Sequence, residues 1–305
     1  MKIARLLAAL LLTTSPMLFA QHAGPPLSSQ AAAAKPKEKP LPNETPAPQC
    51  ASHKTFMSRS LAREMAYCII LPEAYEGASE NYPVLYLLHG LWGDENDWMA
   101  KTKIAEYARP LKLIIVMPEG DDSWYTNSVT DPRNRYEDYA FSDLVKEIES
   151  KYRAIPERRA RFIAGLSMGG YGAMKAALKY PDEYSYAGVF SAAFGVGTKR
   201  SPFITPKVAF GDEGSATYRA NDDYVLVTQA DPAKLPYIFV TVGTEDGLRP
   251  SDLLMADIMR QMHIRYEYHE WPGGHDWHVW DRSARIFLMY LQAVGAVQQV
   301  SAAGR

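Results

Sequence analysis

The stretch AGLSMGGYGAM, residues 164–174, constrains the fold more than any other part of the chain. Gly165 and Gly169 stand two places either side of Ser167, which marks a turn too tight for β-carbons. Residues 161–164 before it predict a short buried strand. Residues 168–180 after it predict a helix that stops at Pro181. Strand, tight turn with a serine, then helix is the arrangement of a nucleophile elbow. The rest of the chain decides whether the serine has partners.

Residues 83–88, 112–117, 186–190 and 237–242 are continuous apolar runs, the pattern of strands buried on both faces. Residues 56–61 and 65–71 predict an antiparallel edge pair around a turn at Ala62, Arg63 and Glu64, and residues 265–270 a further strand. Helices are expected over 97–108, 142–152, 251–262 and 281–291. Strands that alternate with helices build an α/β fold, with a mostly parallel central sheet and helices on both faces. In such a sheet the chemistry collects at the carboxyl ends of the strands.

Those ends carry the partners. Residues 83–88 run into HGLWGDENDW, 237–242 into GTEDG, and 265–270 into WPGGHDWHVW. Ser167, Asp246 and His275 follow in the order serine, acid, histidine that an elbow-bearing sheet uses. A serine hydroxyl attacks well only when a base takes its proton. Imidazole does this near neutral pH, and a carboxylate on its other nitrogen fixes the tautomer. His278 competes for the base, but Gly273 and Gly274 give His275 the open loop it needs to reach a serine. His278, between Trp277 and Trp280, reads as packing or rim. Glu245 competes with Asp246, and the residues alone do not separate the two. The anion formed on attack needs backbone N–H donors. Met168, at a helix N-terminus, supplies one, and Leu91, in the glycine-bearing loop after His89, the other. This chemistry requires no cofactor and no metal.

Outside the elbow, composition narrows the partners. Apolar residues make up 47% of the 305, enough for a sizeable core. A formal net charge of −2 gives no basic face for a phosphate backbone, so nucleic acid is excluded as a partner. Lys2 and Arg5, the apolar residues 6–12 and the small residue Ala20 form a secretory signal over residues 1–20. That apolar stretch falls well short of the ~20 residues a stable membrane span requires. Residues 21–49, rich in Pro and Ala, predict a flexible tether. The catalytic domain is expected over 50–296 and a C-terminal tail over 297–305. The product would be secreted or periplasmic. Export permits a disulfide between Cys50 and Cys68, while the apolar surroundings of Cys68 equally suit a buried thiol. The sequence sets no oligomeric state.

Together, LLHGLWGDENDW, GLSMGGYGAM, GTEDGL and GGHDWHVW resemble the esterase D-like α/β-hydrolase family, over most of residues 56–291. That family includes feruloyl and acetylxylan esterases, tributyrin-type esterases, S-formylglutathione hydrolases and mycolyl transferases. The resemblance implies an α/β-hydrolase fold with no large lid domain. It implies a serine carboxylic-ester hydrolase acting on small-molecule or carbohydrate esters, with Ser167 as nucleophile, His275 as base and Asp246 as acid. It also implies Leu91 and Met168 as oxyanion donors. DDSWYTN, residues 121–127, is similar to a family loop that borders the active site, which makes Trp124 and Tyr125 candidate substrate walls. Trp92, Trp277 and Trp280 join them at the expected mouth. The exported leader makes a glutathione thioester an unsuitable substrate.

Three rivals share parts of the pattern. Prolyl oligopeptidase-type peptidases also carry GxSxGGY, but bring a large propeller for which this chain has no room. An acyltransferase would use the same three residues, and a non-catalytic surface domain would need none of them. Residues 191–236 hold charged side chains rather than a long apolar insertion, so no lipase-type lid is expected and short-chain or aryl esters are favoured.

Overall fold

The parallel strands of the sheet are buried on both faces because their side chains alternate between two apolar layers. In β3 (Val84–Leu88), Val84, Tyr86 and Leu88 enter one layer and Leu85 and Leu87 the other. β4 (Ile114–Pro118) repeats this, with Ile114 and Val116 opposed to Ile115 and Met117. The computed structural model of the chain describes residues 52–300, apart from 74 and 196–208. The expected signal and tether, Cys50, and Lys199 and Arg200 of the 191–236 segment lie outside them. Cys68, the other cysteine, is buried and disulfide-bonded.

Among the described residues the sheet has eight strands in the order β1-β2-β4-β3-β5-β6-β7-β8. β1 (His53–Ser58) and β2 (Arg63–Ile70) pair antiparallel at one edge, and β2 pairs antiparallel with β4. β3 to β8, including β5 (Arg161–Leu166), β6 (Tyr186–Phe190), β7 (Tyr237–Gly243) and β8 (Tyr266–Trp271), run parallel. One face is covered by α1 (Asp97–Lys101), α2 (Ile104–Ala108) and α9 (Trp277–Ala293). The other carries α3 (Tyr136–Asp138), α4 (Leu144–Lys151) and α5 (Met168–Lys179), with α6 (Ala216–Arg219), α7 (Asp223–Gln229) and α8 (Arg249–Gln261) around its end.

The structure departs from the sequence expectations where polar side chains intervene. The helix expected over 97–108 is two helices, because the Thr102 hydroxyl donates to the Trp98 carbonyl (2.5 Å) and accepts from Ile104 N–H (3.2 Å). That hydroxyl ends one helix and begins the next. The first strand stops at Ser58 rather than residue 61. There Asp143 Oδ2 accepts from the Ser58 hydroxyl (2.8 Å) and the Ser60 amide (2.7 Å), folding residues 59–62 into a turn. The helix expected from 142 is entered through a π-turn, Tyr139–Asp143. The last helix begins at Trp277, not 281, because Asp276 caps it by accepting from the His278 and Val279 amides. Residues 297–300 are no loose tail: Val297 is buried, and Lys112 N–H donates to the Gln298 carbonyl at 2.7 Å.

A buried ion pair ties the elbow helix to the loop that borders the site. Lys175 of α5, fully buried, donates to the Tyr125 carbonyl (2.7 Å) and the Thr126 hydroxyl (2.5 Å) and lies 3.2 Å from Glu137. Burial pulls the Lys175 ammonium down to about 8. Burial would raise Glu137, but Lys175 and Lys179 together draw its carboxyl down to about 2. Its ordinary value is 4.5, so the stability it contributes is fully present above that pH and is lost as pH falls toward about 2. Glu137→Gln leaves the lysine buried and unpaired. We expect it to cost about 3 kcal/mol at neutral pH, and to flatten the stability-against-pH curve between pH 4.5 and 2 in urea titrations. An unaltered acid limb would contradict this account.

Candidate active site

Ser167 sits at the end of β5 with φ 54° and ψ −114°, a strained backbone for a residue with a side chain. Three hydrogen bonds hold it there. Its N–H donates to the Phe190 carbonyl (2.9 Å), and its carbonyl accepts from Tyr171 (3.0 Å) and Ala193 (3.1 Å). Behind the turn, a β-carbon on Gly169 would lie 2.5 Å from the His89 carbonyl oxygen, so the first turn of α5 packs directly on the end of β3.

The other two residues arrive from neighbouring strand ends. Asp246 follows β7 and is buried; His275 follows β8 and is exposed. His275 Nε2 lies 3.0 Å from Ser167 Oγ, and His275 Nδ1 lies 2.9 Å from Asp246 Oδ2 and 3.1 Å from Oδ1. Asp246 also accepts from the Leu248 amide at 2.8 Å. Burial alone would raise the Asp246 carboxyl, but its bond to His275 and that amide hold it below the ordinary carboxylate range. It is therefore a carboxylate at neutral pH. The Glu245 side chain turns away, exposed, and meets Thr244. His278 is exposed in the first turn of the last helix, where its amide donates to Asp276 Oδ1 at 3.0 Å.

Among the described residues, neither the Leu91 nor the Met168 amide is taken up by another group. His89 explains the orientation of the first. Gly120 N–H donates to its Nε2 at 2.8 Å, which leaves Nδ1 as the protonated nitrogen, donating to the Gly90 carbonyl at 2.7 Å. Gly93 N–H holds the same oxygen at 3.1 Å. Gly90 C=O and Leu91 N–H share one planar peptide unit, so pinning the oxygen aims the amide the opposite way.

A cavity of about 350 Å³ opens over Ser167 and His275. Leu91, Trp92, Trp124 and Trp277 line it, as does Trp280. Trp92 is 59% exposed at the mouth, whereas Trp124 is buried. Tyr125 does not line it. It is fully buried, and its hydroxyl donates to the His89 carbonyl (3.1 Å), so it belongs to the core beneath the loop. Two charged lining residues escaped the sequence reading, Asp97 and Lys101. Their i,i+4 spacing in DENDWMAK was the available signal. A serine, imidazole and carboxylate in line, beside free amides and an aromatic cavity, can carry out acyl transfer.

Comparison with known proteins agrees with this chemistry. A family model described as putative esterase matches residues 58–284. An acetyl esterase of Caldicellulosiruptor saccharolyticus is 28% identical over 255 residues, covering 74% of this chain and 92% of that one. Among solved structures, the fluorophosphonate-binding serine hydrolase F of Staphylococcus aureus superposes with a TM-score of 0.72 at 27% identity, over 78% of this chain and 96% of its own. A ferulic acid esterase superposes with a TM-score of 0.70 at 27% identity, over 79% of this chain and 97% of its own.

On p-nitrophenyl acetate, Asp246→Asn should lower kcat by about 10³–10⁴-fold, the effect of losing the carboxylate that fixes the imidazole tautomer. Glu245→Gln should stay within a few-fold of the parent. The opposite ranking would transfer the acid role to Glu245.

Proposed function

This chain belongs to the putative esterase family and is a serine esterase of the α/β-hydrolase fold, and we propose that it hydrolyses short-chain and aryl carboxylic esters, including acyl esters of carbohydrates. The observation that carries this reading is the unbroken line from Ser167 Oγ through His275 to Asp246, at 3.0 and 2.9 Å. In the proposed reaction His275 Nε2 takes the Ser167 proton as Oγ attacks the ester carbonyl. Asp246 stabilises the imidazolium that forms. The negative charge on the carbonyl oxygen is met by the amides of Leu91 and Met168, the latter at the N-terminus of α5. His275 returns the proton to the departing alcohol, which leaves an acyl group on Ser167. Water, deprotonated by the same imidazole, releases the acid.

The acyl preference follows from the cavity. Its volume of about 350 Å³ is at the small end of ligand pockets, and tryptophan walls suit flat groups better than long flexible chains. The relatives named for acetyl and ferulic acid esters support small and aryl acyl groups. Specificity constants should fall from p-nitrophenyl acetate and butyrate to octanoate and palmitate, with methyl ferulate accepted. Palmitate as the best substrate would overturn the reading. Ser167→Ala should remove at least about a thousandfold of the activity with an unchanged melting temperature.

We also infer that the chain is exported, from Lys2, Arg5 and the apolar residues 6–12. Among the described residues no helix is long and apolar enough to cross a membrane. Protein from a secreting host should begin near Gln21 by mass spectrometry. An intact Met1 in the exported fraction would count against export by this signal.

A further inference from the structure

The cavity over Ser167 contains one polar feature that the hydrolytic chemistry does not use. Asp97, the first residue of α1, lines it with a side chain only 12% exposed. Its Oδ1 pairs with Lys101 Nζ at 2.7 Å, one helical turn on. Asp97 Oδ2 lies under the oxyanion loop, where a β-carbon on Gly93 would come within 2.5 Å of it. Among the described residues no donor reaches Oδ2. The Lys101 ammonium lies 4.9 Å from the centre of the Trp277 ring, and that ring meets Trp280 edge-on at 5.1 Å. Trp280 is buried beside His275, with its indole N–H unpartnered among the described residues.

This sets an open acceptor and spare ammonium protons side by side against an aromatic wall. An ammonium carries three donors and no acceptor, and a carboxylate only acceptors. A group that both gives and takes a hydrogen bond satisfies the two at once. A hydroxyl does so. A carboxylate or phosphate would be repelled by Asp97, and an amine by Lys101. The tryptophans around the pair favour a ring as the carrier of that hydroxyl.

We propose that Asp97 and Lys101 form a hydroxyl-recognition subsite, selecting esters in which a ring-borne hydroxyl reaches the Trp277 wall. The inference rests on the esterase reading and names its substrate class. The hydroxyl belongs either to a phenolic acyl group or to a sugar alcohol, and the two differ in which half of the ester carries the ring. Neither Asp97 nor Lys101 touches the reacting atoms; both determine specificity.

The test compares matched esters with and without the hydroxyl: methyl 4-hydroxycinnamate against methyl cinnamate, and an acetylated xyloside against cyclohexyl acetate. Lys101→Met keeps the length of a half-exposed side chain and removes the donor, so it is the primary variant; Asp97→Asn is the second, with thermal melting as a check on folding. In the parent one pair should show a ratio of kcat/KM of about tenfold or more in favour of the hydroxyl-bearing ester, the scale of one hydrogen bond to a charged group. Lys101→Met should bring that ratio close to one. Loss of discrimination in the cinnamate pair assigns the subsite to the acyl group, and in the acetate pair to the alcohol. Ratios near one in the parent, or unchanged in Lys101→Met, would overturn the proposal. Hydrolysis of p-nitrophenyl acetate by the parent, abolished in Ser167→Ala, keeps this outcome separate from failure of the esterase reading.

Discussion

The site depends on a backbone conformation that Ser167 would not adopt unaided. A non-glycine residue at φ 54° carries a cost of about 1–3 kcal/mol. The residue is held there by three backbone bonds, two of them to the end of β6 and the residues just beyond it. These strand ends belong to the middle of the sheet, where β3, β5 and β6 lie side by side and their apolar side chains are buried in both layers. The sheet fixes the positions from which the elbow, the loop after β3 and the loops bearing Asp246 and His275 depart. The strain at one residue is therefore set against the packing of the whole centre of the domain, and a local rearrangement that relieved it would have to break those packed strand ends.

The same arrangement explains which parts of the molecule were legible in the sequence. Buried parallel strands need continuous apolar runs, so β3, β4, β5, β6 and β7 could be read within a residue or two. The elbow was legible for a similar reason, because close approach of α5 to β3 tolerates no side chain at Gly169. Helix boundaries set by a single side-chain bond were not. Thr102 splits α1 from α2 with its hydroxyl, and Asp276 starts α9 four residues before the apolar periodicity suggests. Nothing in local composition distinguishes such a residue from an ordinary exposed one.

Choices between adjacent residues show the same limit. Glu245 and Asp246 are neighbours with the same chemistry, and only the loop after β7 determines that Asp246 is buried against His275 while Glu245 faces solvent. Trp124 and Tyr125 present the converse case. Both are buried, yet Trp124 lines the cavity, and Tyr125 is drawn into the core by the bond from its hydroxyl to the His89 carbonyl. Side-chain type suggested a wall for both. The tertiary hydrogen bond decided between them.

The walls of the cavity are also unequal in how they are held. Trp277 is fixed by edge-on contacts with Trp98 (5.5 Å) and Trp280, and Trp280 in turn packs edge-on to His275 at 4.9 Å. The aromatic wall on that side is thus continuous with the imidazole itself. Trp124 rests on Tyr171 of the elbow helix at 5.8 Å, and the carbonyl of the next residue accepts from buried Lys175 on the same helix. Both walls are therefore referenced to the elements that place Ser167 and His275. Trp92 differs: it is exposed, has φ 64°, and its amide is tethered to Asp122 at 2.8 Å. The packing that holds Trp277 and Trp124 is thus shared with the elements that align the serine, imidazole and carboxylate, while Trp92 stands on a loop outside it.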